Sequence, residues 1–361
     1  MGVERRLMKG NEAIGEAAIA AGCRYFFGYP ITPQNELPEY MARRLPEVGG
    51  VYLQAESEVS AINMVYGAAG AGARVMTSSS SPGISLKQEG LSYIAGAELP
   101  CVVVNMVRGG PGLGGIQPAQ SDYFQATKGG GHGDYHLLVL APAYVQELAD
   151  LVREAFDLAD KYRNPVMILG DGVLGQMMEP VAIEEPLSVS ALPAKPWATT
   201  GARGRATNLV NSLYIDPVEL FEHNSKLMAK YERMAQEELR YDHYCVDDAE
   251  IILVAYGITA RICRTVVDLA RQEGLKLGLF RPISLYPFPY GSLAELVKQV
   301  GVKKVICVEM SAGQLVEDIR LAVEGLVPTV LFGYPGGIVP LPAQILARVK
   351  AERGGNGVRT D

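Results

Sequence analysis

Between residues 11 and 175, apolar positions fall into two alternating patterns. Short Val-, Ile- and aromatic-rich runs at residues 25–30 (YFFGYP), 51–56, 74–80, 101–107, 136–141 and 165–170 predict strands. The stretches between them repeat apolar residues every three or four positions. They predict an Ala-rich helix capped by Asn11 and ending at Gly22, then helices over 57–72, 85–97 and 143–163. The run CVVVNMV at 101–107 is apolar almost throughout, as in a strand covered on both faces. Strand and helix alternating in this way predict a parallel sheet with helices packed on both sides.

The texture then changes. Residues 179–205 are proline-rich with little periodicity and are expected to form a surface linker. Asp216 and Pro217 form a cap and first-turn pair for a helix reaching about Tyr241, polar enough to be an exposed connector or a subunit contact. Alternation resumes at Glu250 with IILVAY, GLF, KVICVE and TVLFGY as strands and helices over 258–273, 291–300, 315–324 and 343–351. The expected division is an α/β domain at 1–178, a linker with its helix at 179–247, a smaller α/β domain at 248–351 and a frayed tail at 352–361.

Net charge narrows the function classes. At -7 overall and without a basic run, the chain lacks the footprint of a nucleic-acid binder. It has neither a signal-peptide core after Met1 nor the ~20 apolar residues of a membrane helix, so a soluble cytoplasmic protein is expected. Cys23, Cys101, Cys245, Cys263 and Cys307 are scattered without C-x-x-C spacing. They offer no zinc or iron–sulfur site and fit a reducing compartment.

Four motifs are candidates for chemistry. Residues 110–115 (GPGLGG) match the spacing of a dinucleotide-binding loop, but Pro118 interrupts the helix such a loop must open, and the acid required about 20 residues on is missing. Gly170-Asp171-Gly172 is like the start of a diphosphate–magnesium motif without its later Asn, which leaves a strand-end turn. Pro30 and Pro33 bracket Thr32 in a stiff loop at a strand's carboxyl end, where open α/β sheets place ligands. Glu58 and Arg108 end two further strands at the same edge. Alone, Glu58 also reads as a first-turn acid suited to the helix dipole, and Arg108 as a solvated cation. Together a hydroxyl, a carboxylate and a guanidinium suit an anionic small molecule.

These residues sit in longer motifs: GYPITP at 28–33, SEVSAINMVYGAAGAGAR at 57–74, SSSPG at 79–83, RGGPGLGGIQPAQSDYFQ at 108–125, RPISLYPFP at 281–289 and VEM at 308–310. With them the chain, over roughly residues 8–350, resembles the alpha subunit of 2-oxoacid:ferredoxin oxidoreductases, most nearly the 2-oxoisovalerate (branched-chain) type. The resemblance implies a pyrimidine-type thiamine-diphosphate-binding domain followed by a transketolase-C-terminal-like domain. It implies oxidative decarboxylation of a 2-oxoacid to an acyl-coenzyme A, with electrons passing to ferredoxin. By the same resemblance Glu58 is the acid on the pyrimidine nitrogen and Pro30 packs on the ring, while Thr32 and Arg108 hold the substrate. Magnesium and the diphosphate would belong to a beta subunit, with iron–sulfur clusters on partner chains that include gamma and delta-type subunits. The motifs contain no second basic residue that would obviously bind a distal carboxylate, which leans toward a branched or short aliphatic 2-oxoacid; the same reaction on 2-oxoglutarate or pyruvate is the alternative.

Overall fold

The computed structural model of the chain describes residues 5–353. It begins with β1 (Arg5–Lys9) and α1 (Gly10–Ala20), then alternates through β2 (Tyr25–Gly28), α2 (Glu36–Glu47), β3 (Val51–Gln54), α3 (Glu58–Gly70), β4 (Val75–Ser79), α4 (Ser81–Gly96) and β5 (Cys101–Val107). A short α5 (Tyr123–Thr127), β6 (Leu138–Leu140), α6 (Val145–Tyr162), β7 (Pro165–Asp171), α7 (Gly172–Gln176) and β8 (Met178–Ala182) complete the first half. Then come α8 (Pro217–Glu237), β9 (Tyr241–Tyr244), β10 (Ile251–Val254), α9 (Gly257–Gln272), β11 (Leu277–Pro282), β12 (Ser284–Tyr286) and α10 (Tyr290–Val300). The chain ends with β13 (Lys304–Glu309), α11 (Leu315–Val323), β14 (Thr329–Gly333) and α12 (Pro342–Arg353).

The alternation does produce parallel sheets. The first runs β12-β6-β7-β5-β4-β2-β3, parallel except at β12, and the second runs β14-β13-β10-β11-β9, parallel except at β9. In β4, β5 and β7 every residue is buried, because helices cover both faces. Helix α6 shows how the periodicity is satisfied: Leu148, Val152, Ala155, Phe156 and Ala159 form its buried stripe.

Several elements depart from expectation. Asn11 is no cap: it lies inside α1, fully buried, and its Nδ2 donates to the Pro33 carbonyl and to Glu36 Oε2, each at 2.9 Å. Tertiary partners outcompete the local cap and tie α1 to the loop after β2. Helix α4 starts at Ser81, before the expected 85, with Ser80 and Pro82 at its head. Residues 179–182 of the expected linker pair with β1 as β8. Helix α8 is capped by Asp216 as expected, but buries Leu227, Tyr231 and Met234 and so is more than an exposed connector. Strands β9 and β12 cross the expected boundaries, each joining a sheet antiparallel at its edge. The expected tail lies outside the described residues except for Glu352 and Arg353, which are helical; residues 1–4 of the N-terminal segment also lie outside.

The halves are joined by buried polar contacts. Gln120 exchanges backbone and side-chain bonds with Met310, and its amide also reaches the Tyr256 carbonyl and Thr259 Oγ1. Arg281, in the RPIS motif, forms a two-pronged pair with Glu147 of α6, both bonds 2.8 Å.

Candidate active site

The strands β5, β4, β2 and β3 lie side by side, so the segments leaving their carboxyl ends converge on one edge. The loop 29–35 leaves β2, with Tyr29 and Pro30 exposed and Thr32 half-buried. Ser57, after β3, caps α3 by accepting the Ser60 N–H at 3.2 Å, which places Glu58 in the first helical turn. Glu58 is only 6% exposed, yet none of the hydrogen bonds among the described residues ends on its carboxylate.

Arg108 leaves β5 buried at 7% exposure. Its Nη1 donates to the Thr32 carbonyl at 3.0 Å and its Nη2 to the Leu113 carbonyl at 3.1 Å, while Nε has no partner. Arg108 and Thr32 are therefore in contact, through the Thr32 backbone and not its hydroxyl. Glu58 does not touch this pair. The head of α4 lies between them: Ser81 Oγ accepts the Arg108 N–H at 3.1 Å, and a Cβ on Gly83 would collide with Ser79 Oγ and stand 2.6 Å from Glu58 Oε1. Glycine is needed there because the carboxylate rests against the helix backbone.

Sequence reasoning missed this bridge and two ionisable groups beside it, one half-buried and one buried. Burial raises the Asp122 carboxyl above its ordinary range, opposed by hydrogen bonds from Asn105 and Ser81. Lys87 is fully buried on α4. A lysine and an aspartate inside otherwise apolar or motif-rich stretches were the available signals. Buried Ser79 Oγ, Ser80 Oγ and Gln34 Nε2 also lack partners along this edge.

The other two motifs are structural. The GPGLGG segment opens no helix but returns as a loop that pairs Pro118 with Arg108. Asp171 accepts the Val173 and Leu174 N–H groups as the cap of α7. No cluster of His, Cys, Asp or Glu suited to a metal occurs among the described residues, and no helix there is long and apolar enough to cross a membrane.

Residues 16–242 match the thiamine-diphosphate-binding family of pyruvate flavodoxin/ferredoxin oxidoreductases, and residues 249–345 match core domain II of pyruvate:ferredoxin oxidoreductase. The chain belongs to the 2-oxoacid:ferredoxin oxidoreductase family, as an alpha-type subunit. It is 55% identical to the ketoisovalerate oxidoreductase subunit VorB of Methanothermobacter thermautotrophicus, over 88% of this chain and 89% of the relative. It is 35% identical to the 2-oxoglutarate synthase subunit KorA of Methanocaldococcus jannaschii, over 94% and 97% of the two chains. Among solved structures, the 2-oxoglutarate:ferredoxin oxidoreductase of Magnetococcus marinus, with 2-oxoglutarate, coenzyme A and succinyl-CoA bound, superposes with a TM-score of 0.86 at 29% identity. The match covers 97% of this chain and 65% of that one, so the subunit spans about two thirds of its neighbour's length. A split-gene transketolase shares the fold, with a TM-score of 0.58 at 12% identity over 97% of this chain and 98% of that one. The subunit works with partner subunits.

The residues present fit thiamine diphosphate at its pyrimidine end. A buried Glu58 whose carboxylate takes no hydrogen bond from the described residues, the Gly83 cradle and the orphaned Ser79 and Ser80 hydroxyls are what an aminopyrimidine ring can satisfy.

Proposed function

We propose that this subunit supplies the pyrimidine-side half of the cofactor site in an enzyme that converts a branched-chain 2-oxoacid and coenzyme A to acyl-CoA and carbon dioxide, reducing ferredoxin. The observation that carries the reading is Glu58, a buried carboxylate left without a partner at an edge that also holds Thr32 and Arg108. Thiamine diphosphate, when bound, supplies the nucleophilic carbon that adds to the keto group and the electron sink for loss of carbon dioxide. Glu58 holds the pyrimidine nitrogen and shares a proton with it, favouring the tautomer whose exocyclic nitrogen acts as base. Pro30, exposed on the loop after β2, is placed to cover the ring.

Arg108 turns its guanidinium from the Thr32 and Leu113 carbonyls toward the substrate carboxylate, and the Thr32 hydroxyl donates to the keto oxygen. Its unpartnered Nε marks it as underused without substrate. Leu113 and Ile116 are exposed on the loop after Arg108, and residues 109–118 contain no lysine or arginine. That loop suits an aliphatic tail better than a second carboxylate. The exposed approach at Tyr29 and Pro30 fits a site closed by a beta subunit that brings magnesium and the diphosphate contacts. Gamma and delta-type subunits then carry the electrons through iron–sulfur clusters.

Steady-state kinetics of the assembled enzyme test the substrate: kcat/KM should favour 2-oxoisovalerate over 2-oxoglutarate, and the reverse order would overturn the branched-chain reading. Arg108→Lys keeps the charge but loses the planar fork, so kcat/KM should fall ~10- to 1,000-fold. Calorimetric titration of this subunit alone with cofactor and magnesium should show weak binding at most; submicromolar affinity would end the half-site reading.

A further inference from the structure

Lys87 is fully buried, and no acid lies within ion-pair distance of it among the described residues. Its Nζ donates to Thr77 Oγ1 at 2.6 Å and to the Ser78 carbonyl at 3.0 Å, both neutral groups on β4. Burying an ammonium with only neutral acceptors is costly, so a packing role alone explains it poorly: methionine would fill the space without the charge.

Its position on α4 supplies the explanation. Gly83 and Lys87 are four residues apart and share a helix face. Gly83 is where the Glu58 carboxylate touches α4, and Ser79, at the same contact, follows the Ser78 carbonyl that Lys87 binds. Lys87 thus sits one turn behind Glu58, on the side away from the cofactor edge. The titratable groups facing it are Glu58 from α3 and Cys101 from β5. Burial pushes the Cys101 thiol up to about 12, so it is neutral, and Glu58 is the acid facing Lys87 among the described residues.

We infer that Lys87 is a positioning residue for Glu58, the buried counter-charge whose gain or loss of a proton sets how readily Glu58 shares one with the pyrimidine ring. The inference rests on the reading of Glu58 given above. With Lys87 protonated, the Glu58 side chain faces a positive charge; with Lys87 neutral, that charge is gone. Burial lowers Lys87 to about 7, with Glu58 opposing the shift, so this exchange falls near neutral pH.

Coupling between two titrating groups is reciprocal, so it can be read from the lysine without cofactor or activity. In the full chain with lysine 13Cε labels, Lys87 is assigned as the resonance lost in Lys87→Met. It should titrate near neutrality and move acidward in Glu58→Gln by at least ~0.5 pH unit, a ~threefold change in proton affinity. In the assembled enzyme, the pH profile of thiamine C2 proton exchange should lose its neutral step in Lys87→Met and also in Lys87→Gln, which keeps a donor toward Thr77 but no charge. An unmoved Lys87 titration in Glu58→Gln, or a wild-type profile in Lys87→Gln, would overturn the inference. The Glu58 role fails separately: exchange at the wild-type rate in Glu58→Gln sinks that role, while the lysine titration still reports whether the two groups are coupled.

Discussion

Two acids stand where a parallel strand hands over to a helix, one in each half of the molecule, and their surroundings are opposite. Glu309 ends β13 with no exposure; its carboxylate accepts from Ser311 Oγ and from the backbone N–H groups of Gln314, Leu315 and Val316. Glu58 begins α3 almost as deeply buried and accepts nothing from the described residues. The difference comes from the connecting segments. After β13 the chain turns through Gly313 at φ 116, a conformation open to glycine, and wraps its N–H groups around the acid. After β3 it is Ser57 that caps the helix, which releases Glu58 from that duty. Equal burial with and without partners separates a carboxylate that holds the fold from one kept for a ligand.

The largest expected effect breaks the comparison from the Glu58 side. Glutamine is nearly isosteric and still reaches the pyrimidine nitrogen, but cannot share the proton. Glu58→Gln should assemble, retain cofactor and exchange the thiamine C2 proton ~100- to 10,000-fold more slowly, the range of acid–base contributions. Deuterium exchange with acid quench and NMR measures this, and an unchanged rate would remove Glu58 from the mechanism.

Glu309 should fail in the other way. Glu309→Ala orphans several buried N–H groups at the head of α11 and should cost about 3–5 kcal/mol of stability. Urea denaturation of the full chain measures it. A loss below about 1 kcal/mol would mean that these hydrogen bonds carry little of the fold, and the contrast with Glu58 would collapse.

Lys87 gives the comparison a pH axis. Its folded form releases a proton near 7 and its unfolded form near the ordinary 10.5, so between these values the unfolded chain binds more protons. Wild-type stability should therefore rise with pH, relative to Lys87→Met, across that window and stay level below it. The gain should reach about 2–4 kcal/mol by pH 10. Thermal unfolding of both proteins over the range decides; parallel curves would mean that Lys87 keeps its proton throughout.

The sheet was legible because its signal is local. Runs such as 101–107 predict buried strands from composition alone, and every residue of β5 is buried. Thr32, Glu58 and Arg108 were legible as strand-end residues, and the structure brings their segments to one edge. What escaped depends on partners distant in sequence. Strands β1 and β8 exist through each other although they are distant in sequence, 169 residues apart at Lys9 and Met178 and 177 at Arg5 and Ala182. Asn11 forgoes its cap for Pro33 and Glu36. The Gly83–Glu58 contact and the setting of Lys87 arise where α3 and α4 pack, and no spacing rule along one helix reveals a neighbour on another.

The smallest effect is the sharpest test of the contrast. Replacing a buried acid ordinarily costs the hydrogen bonds it made, but Glu58 makes none among the described residues. Two opposing consequences follow from Glu58→Gln. The first turn of α3 loses a negative charge favoured by the helix dipole, a loss of about 0.3–1 kcal/mol. A desolvated charge is also removed, which returns a comparable amount. The net change in the stability of the full chain should stay within about 1 kcal/mol, against the several expected for Glu309→Ala under the same conditions. If Glu58→Gln destabilised the chain as much as Glu309→Ala, the carboxylate would be part of the fold's own bonding, and its lack of a partner could no longer be taken as the mark of a ligand site.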